Sequence, residues 1–133
     1  MTTIADVRQA LADAAAMSGI QVYAYPPDAA VAGSGWVVRR EMDPRYIFGD
    51  TKSNYPMGIV VLFNRAAVQS SMRAIDALCE TTGTGSLPAA VQDGTNWAAT
   101  IDYAQVTRIG EPSVVDIAGA EYLSIEFDIE VVW

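Results

Sequence analysis

The sequence predicts an α+β fold, a mainly antiparallel sheet with an N-terminal helix and a central helix packed on one face. Two observations carry this. Apolar residues recur at helical spacing in two separate stretches, one at the N-terminus and one after residue 64. The C-terminal stretch from Leu123 to Trp133 alternates strictly, with the period of a strand. Short β-branched runs fill the intervals, so the order is helix, several strands, helix, then further strands.

From Thr2 to Ser18 the larger apolar residues fall at Ile4, Val7, Leu11, Ala14 or Ala15, and Met17 or Ser18, one face of a helix. Thr2 or Thr3 can cap it, Asp6 suits the positive end of its dipole, and Gly19 suits a left-handed stop. Ile20 to Tyr25 reads as a strand closed by Pro26 and Pro27, and a flexible Pro/Gly-rich loop at about 26–35 follows. Trp36 to Arg40 and Arg45 to Phe48 are short strand candidates. Gly58 to Phe63, GIVVLF, is too short for a helix and rich in β-branched residues, which predicts a central strand covered on both faces.

Asn64 can cap a second helix, with Val68, Met72, Ile75, Leu78 and Cys79 on its apolar side, ending near Gly83. Ser86 followed by Leu87 and Pro88 predicts a short helix, because serine caps and proline fits a first turn. Ala99 to Ile109 and Val114 to Ile117 are strand-like, and Gly119 within AGA predicts a hairpin turn. In the last strand Leu123, Ile125, Phe127, Ile129, Val131 and Trp133 point one way, and Ser124, Glu126, Asp128, Glu130 and Val132 the other. One face is core and the other acidic.

The 133 residues fit a single domain, 1–133, and a chain of this length buries roughly two thirds of its unfolded surface. With 51% hydrophobic and 18% charged residues it has the composition of a folded protein. There is no histidine, hence no Ser/His/Asp or Cys/His pair and no histidine metal ligand. Cys79 is the only cysteine, which excludes an internal disulfide and a cysteine zinc site and suggests a buried small hydrophobe. The N-terminus lacks the basic start and apolar run of a secretory signal, and no uncharged apolar stretch reaches about 18 residues, so no membrane partner is expected.

The net charge of −8 is uneven. Residues 36–65 carry five basic side chains against three acids, while residues 76–133 carry ten acids and only Arg108. That acidity argues against nucleic-acid recognition, which needs clustered Lys and Arg. Glu126, Asp128 and Glu130 have the oxygen ligands of a divalent-cation site, but alternate strand residues lie about 6.5–7 Å apart, which favours a solvated or subunit-facing surface. The TGTGS stretch within 81–86 has glycines before a helix start, as phosphate loops do, without the P-loop lysine or its strand-to-helix order; a helix stop followed by a helix cap accounts for it. Trp36 with Arg39 and Arg40, joined by Tyr46 and Phe48, has the residue types of a protein interface, or of an edge strand with snorkelling arginines. The Pro26 to Gly35 loop supplies a mobile arm beside it. No catalytic constellation is visible; Asp102 or Glu111 with a tyrosine is the nearest to an acid/base pair. No cofactor is implied.

GIVVLFNR leading into AAVQSSMRAIDALCETTGTGSLPAAV, preceded by an amphipathic helix and a strand ending in a proline loop and closed by AEYLSIEFDIEVVW, resembles the tail terminator family of long-tailed bacteriophages. The resemblance covers nearly the whole chain and rests on patterns rather than on a catalytic motif. It implies a non-enzymatic structural virion protein, a homo-oligomeric ring, usually a hexamer, in the tail and neck, assembled in the host cytoplasm. Such a ring caps the tail tube protein, ends tail polymerisation and docks the head–tail connector. Trp36, Arg39, Arg40, Tyr46 and Phe48 are then the expected subunit or axial contacts. Glu126, Asp128 and Glu130 become an acidic lumen that repels DNA in transit. A head-completion or stopper protein of the same neck is the alternative, and a non-viral assembly adaptor is a further one.

Overall fold

The computed structural model describes residues 3–40, 54–93, 97 and 101–132. Within them α1 is Ile4–Ala16, β1 Gln21–Tyr23, β2 Ser34–Arg39, β3 Asn54–Asn64, α2 Val68–Leu78, α3 Leu87–Gln92, β4 Tyr103–Ile109, β5 Ser113–Ile117 and β6 Ala120–Val132. The expected strand at Arg45 to Phe48, including Tyr46 and Phe48, and the expected core residue Trp133 lie outside the described residues.

α1 starts where its cap chemistry says it should. The Thr3 hydroxyl accepts from the Asp6 N–H, and Asp6 Oδ2 accepts from the Thr3 N–H at 2.8 Å, a reciprocal capping box. Gly19, at φ +96°, turns the chain out of the helix. Val7, Leu11, Ala14 and Ala15 are buried, as the spacing predicts; Ala10 and Ala12 are buried beside them, while Met17, expected on that face, is exposed just past the end of the helix. The second helix departs from its expected pattern. Asn64 does not cap it; its side chain accepts from Ala66 N–H inside the preceding turn, and Ala67 at the cap position offers no side-chain acceptor. Val68 is 44% exposed, and Ser71 takes a buried place instead, its hydroxyl donating to the Asn64 carbonyl. Burying serine is tolerable because that bond replaces the one lost to water. Cys79 is half-buried rather than fully enclosed. Ser86 caps α3 as expected, accepting from Ala89 N–H.

The sheet runs β1-β2-β3-β6-β4, with β5 also on β6. β1 and β2 are parallel and every other pair is antiparallel. β3 is central, between β2 and β6, as the GIVVLF run predicts. β4 and β5 follow each other along the same side of β6. β5 and β6 form a hairpin through Ala118 and Gly119, both at positive φ, the two-residue turn whose twist matches the strands. An alanine in that left-handed region costs roughly 1–2 kcal/mol.

Alternation then sorts the sheet into two faces. On the inner face Val37, Met57, Ile59, Val61, Phe63, Ala104, Leu123, Ile125, Phe127, Ile129 and Val131 are buried. α1 packs there on β1 and β2, α3 on β4, and α2 on β3 and β6. Each large side chain so enclosed contributes about 1.5–3 kcal/mol relative to exposure. The outer face carries no helix among the described residues, and Trp36, Glu126, Asp128 and Glu130 lie on it.

The loop from Pro26 to Gly35 was expected to be a mobile arm; the observed connection between β1 and β2 is 24–33. In the structure it folds back on its own sheet. Arg8 Nη1 donates to the carbonyls of Ala24 and Val37, both at 2.9 Å, with its guanidinium 4.6 Å from the centre of the Tyr25 ring. Gly33 N–H donates to Leu62 O at 2.7 Å, and Tyr122 Oη to Ala30 O at 3.4 Å. The reason is topological: β1 and β2 are parallel neighbours, so the connection must return along the sheet to start β2.

Candidate functional site

Register places Trp36, Val60 and Glu126 in one row across the outer face, and Val38, Gly58 and Asp128 in the next. Arg40 follows β2 one step beyond, its N–H donating to Pro56 O. Its guanidinium reaches back over Gly58, Nη2 lying 3.0 Å from Asp128 Oδ1 and Nη1 3.8 Å from Glu126 Oε1. The open space above Gly58 makes this possible, since a Cβ there would stand 2.8 Å from both Nε and Nη2. Nε is buried against the sheet and has no acceptor among the described residues.

A second arginine arrives through a bulge. Between Val106 and Arg108 the β4 register slips by one residue, with Thr107 as the extra residue. Without it Arg108 would share the inner face with Val106; with it Arg108 stands opposite Asp128, Nη1 at 3.7 Å from Oδ2. Thr107 Oγ1 donates to the Asp128 carbonyl at 3.3 Å.

This changes two of the sequence expectations. Glu126, Asp128 and Glu130 do share one face, but that face is mixed in sign: Glu126 and Asp128 are held by Arg40 and Arg108, not presented as bare acids. The expected Trp36, Arg39 and Arg40 cluster is also split. Arg39 pairs with Met57 and so belongs to the opposite face, where its side chain is exposed. Trp36 and Arg40 remain together because alternation keeps residues 36, 38 and 40 on one side.

The remaining candidates resolve simply. No group of three or more acid, cysteine or histidine side chains among the described residues could hold a metal ion. Ser86 in the TGTGS segment receives Ala89 N–H and donates to the Glu80 carbonyl, so it closes the turn before α3. Asp102 and Glu111 are exposed at opposite ends of β4, and the Tyr103 hydroxyl donates to Gln105 Oε1 instead of to either acid. Burial, with Asp76 and Glu80 nearby, pushes the Cys79 thiol up, which disfavours the reactive thiolate.

Two features emerge only from the assembled sheet. One is a groove of about 370 Å³ on the outer face, between the folded-back loop and the β5–β6 hairpin, with Trp36 and Tyr122 in its lining. The other is a pair of unlike sheet edges. Tyr23 and Tyr25 are exposed at the short β1 edge, and Tyr103, Ile109 and Val114 along β4 and β5. Among the described residues no strand pairs with the outer side of either edge, although Gln92 Oε1 accepts the Val106 N–H. A glycine opening an apolar strand run was the one available sequence signal for the Arg40 seat; the bulge and groove had none.

Comparison with protein-family models and with curated proteins gives no match for this chain.

Proposed function

We propose that this chain is a non-enzymatic structural protein that assembles into a closed ring, caps the tail tube of a long-tailed phage, and presents its other axial face to the head–tail connector. The observation that carries the ring is the pair of unlike edges of one sheet, unpaired among the described residues, each with exposed tyrosine and, at β4 and β5, aliphatic side chains. A surface that differs at its two ends joins head to tail, and repetition around a closing rotation makes a ring. Edge-to-edge strand pairing satisfies backbone groups that water otherwise must. The tail terminator assignment rests on the sequence resemblance from GIVVLFNR to TGTGSLPAAV and in the last strand.

Light scattering of the purified protein, alone and with its tube protein, tests this. A ring, expected at six times the monomer mass, supports the reading; a monomer in both conditions overturns it. In the virus, loss of the protein is expected to give overlong tubes. Tails of normal length with heads that leak DNA would assign it to the stopper role instead. Alanine at Trp36 together with Arg40, which stay on one face, is expected to abolish assembly or capping, and normal tails from that variant would remove those residues from the interface.

A further inference from the structure

We propose that the groove between the 24–33 loop and the β5–β6 hairpin is a docking site for a basic side chain, arginine or lysine, carried on an extended segment of a protein partner. The inference does not depend on ring formation. The lining is mostly apolar: Pro26 and Pro27 form part of one wall, Ala118 part of the other, and Trp36 and Tyr122 supply two aromatic rings. Asp28 is the single charged residue in it, is exposed, and has no cation paired with it among the described residues. Aromatic rings beside one carboxylate match a cation with a long apolar stem, because the rings attract positive charge and the apolar walls cover methylene groups. A volume of about 370 Å³ holds such a side chain with some of its flanking backbone. The net charge of −8 favours a basic partner at longer range.

An independent observation points to the same place. Ala118 holds φ +53° at the hairpin tip, where asparagine, aspartate or glycine would sit without strain. The favoured polar residues would put an amide or a second carboxylate at the groove wall, whereas alanine keeps it apolar. Strain retained at a lining residue is what a binding wall predicts and what a plain turn does not.

The test uses N-acetyl-arginine amide as probe and its neutral, isosteric citrulline counterpart as control, followed by NMR on the intact protein. The arginine probe is expected to shift the Trp36 indole, Tyr122 ring and Ala118 methyl signals saturably in the millimolar range, and citrulline to leave them in place. Asp28→Asn is expected to weaken binding several-fold with unfolding unchanged, because Asp28 is exposed. Ala118→Asn is expected to raise the unfolding temperature while reducing binding. Equal shifts from citrulline, undiminished binding by Asp28→Asn, or no saturable shift at Trp36 and Tyr122 would each overturn the proposal.

Discussion

The Arg40 guanidinium occupies the space that a side chain at residue 58 would need, 2.8 Å from the position of an added Gly58 Cβ, and from there it pairs with Asp128 at 3.0 Å. A glycine in a central strand ordinarily weakens it, since it adds backbone entropy and packs nothing. Here it lets a strand-end arginine cross β3 and reach β6, so one contact links three strands.

That geometry predicts non-additivity. With its side chain 32% exposed, Arg40 contributes through this pair no more than about 1 kcal/mol, and Arg40→Ala should destabilise by that order. Gly58→Ala should cost about 1 kcal/mol in the wild type by pushing the guanidinium away, and close to nothing once Arg40 is alanine. Urea unfolding of the two single variants and the double variant reads this directly; additive effects would mean the guanidinium is not seated there.

Arg8 is the second cross-link. It joins α1 to the carbonyls of Ala24 and Val37, where the parallel pair β1 and β2 runs out. Arg8→Ala should cost about 2 kcal/mol, in the range for hydrogen bonds from a charged donor. Arg8→Lys should recover only part of this, because one ammonium replaces a planar fork. Proteolysis within 24–33 should quicken in both variants, with alanine the faster.

The α1 cap gives a signed pH dependence. Hydrogen bonds from the Thr3 backbone and side chain hold the Asp6 carboxyl below its ordinary value. A carboxylate whose folded value is lowered stabilises the fold above its unfolded pKa, and that contribution is lost as pH falls through the folded one. Asp6→Asn should therefore unfold at lower temperature than wild type at pH 7, and the two melting curves should converge as the pH is brought below the carboxylate range. A difference independent of pH would show that the charge is not involved.

Trp97, past the end of α3, is buried, and its indole N–H donates at 2.7 Å to the carbonyl of Val91 in the last turn of that helix. Trp97→Phe keeps most of the apolar bulk but strands that carbonyl, at a cost of about 1–3 kcal/mol. Trp97→Ala adds a cavity and should cost about 3–5 kcal/mol. Chemical denaturation of both variants separates the bond from the packing.

What the sequence by itself determined was local. Apolar spacing set α1 and most of α2, alternation set which residues of β6 enter the core, and turn and cap residues set the hairpin at Gly119 and the start of α3 at Ser86. These are consequences of a fixed period and of backbone groups that neighbouring residues must satisfy. The missed cap at Asn64 and the buried Ser71 show the limit even there, because a long-range fold can satisfy one polar group and leave Val68 in water. The tertiary structure alone decided which strands are neighbours. Alternation says which face a residue occupies, not which chain segment lies beside it, so the meeting of Val61 with Ile125 and of Tyr23 with Trp36 had no local signal. Everything that gives the outer face its character follows from those pairings: Arg40 over Gly58, Arg108 turned outward by the bulge at Thr107, and a groove closed by a loop that must return along a parallel pair.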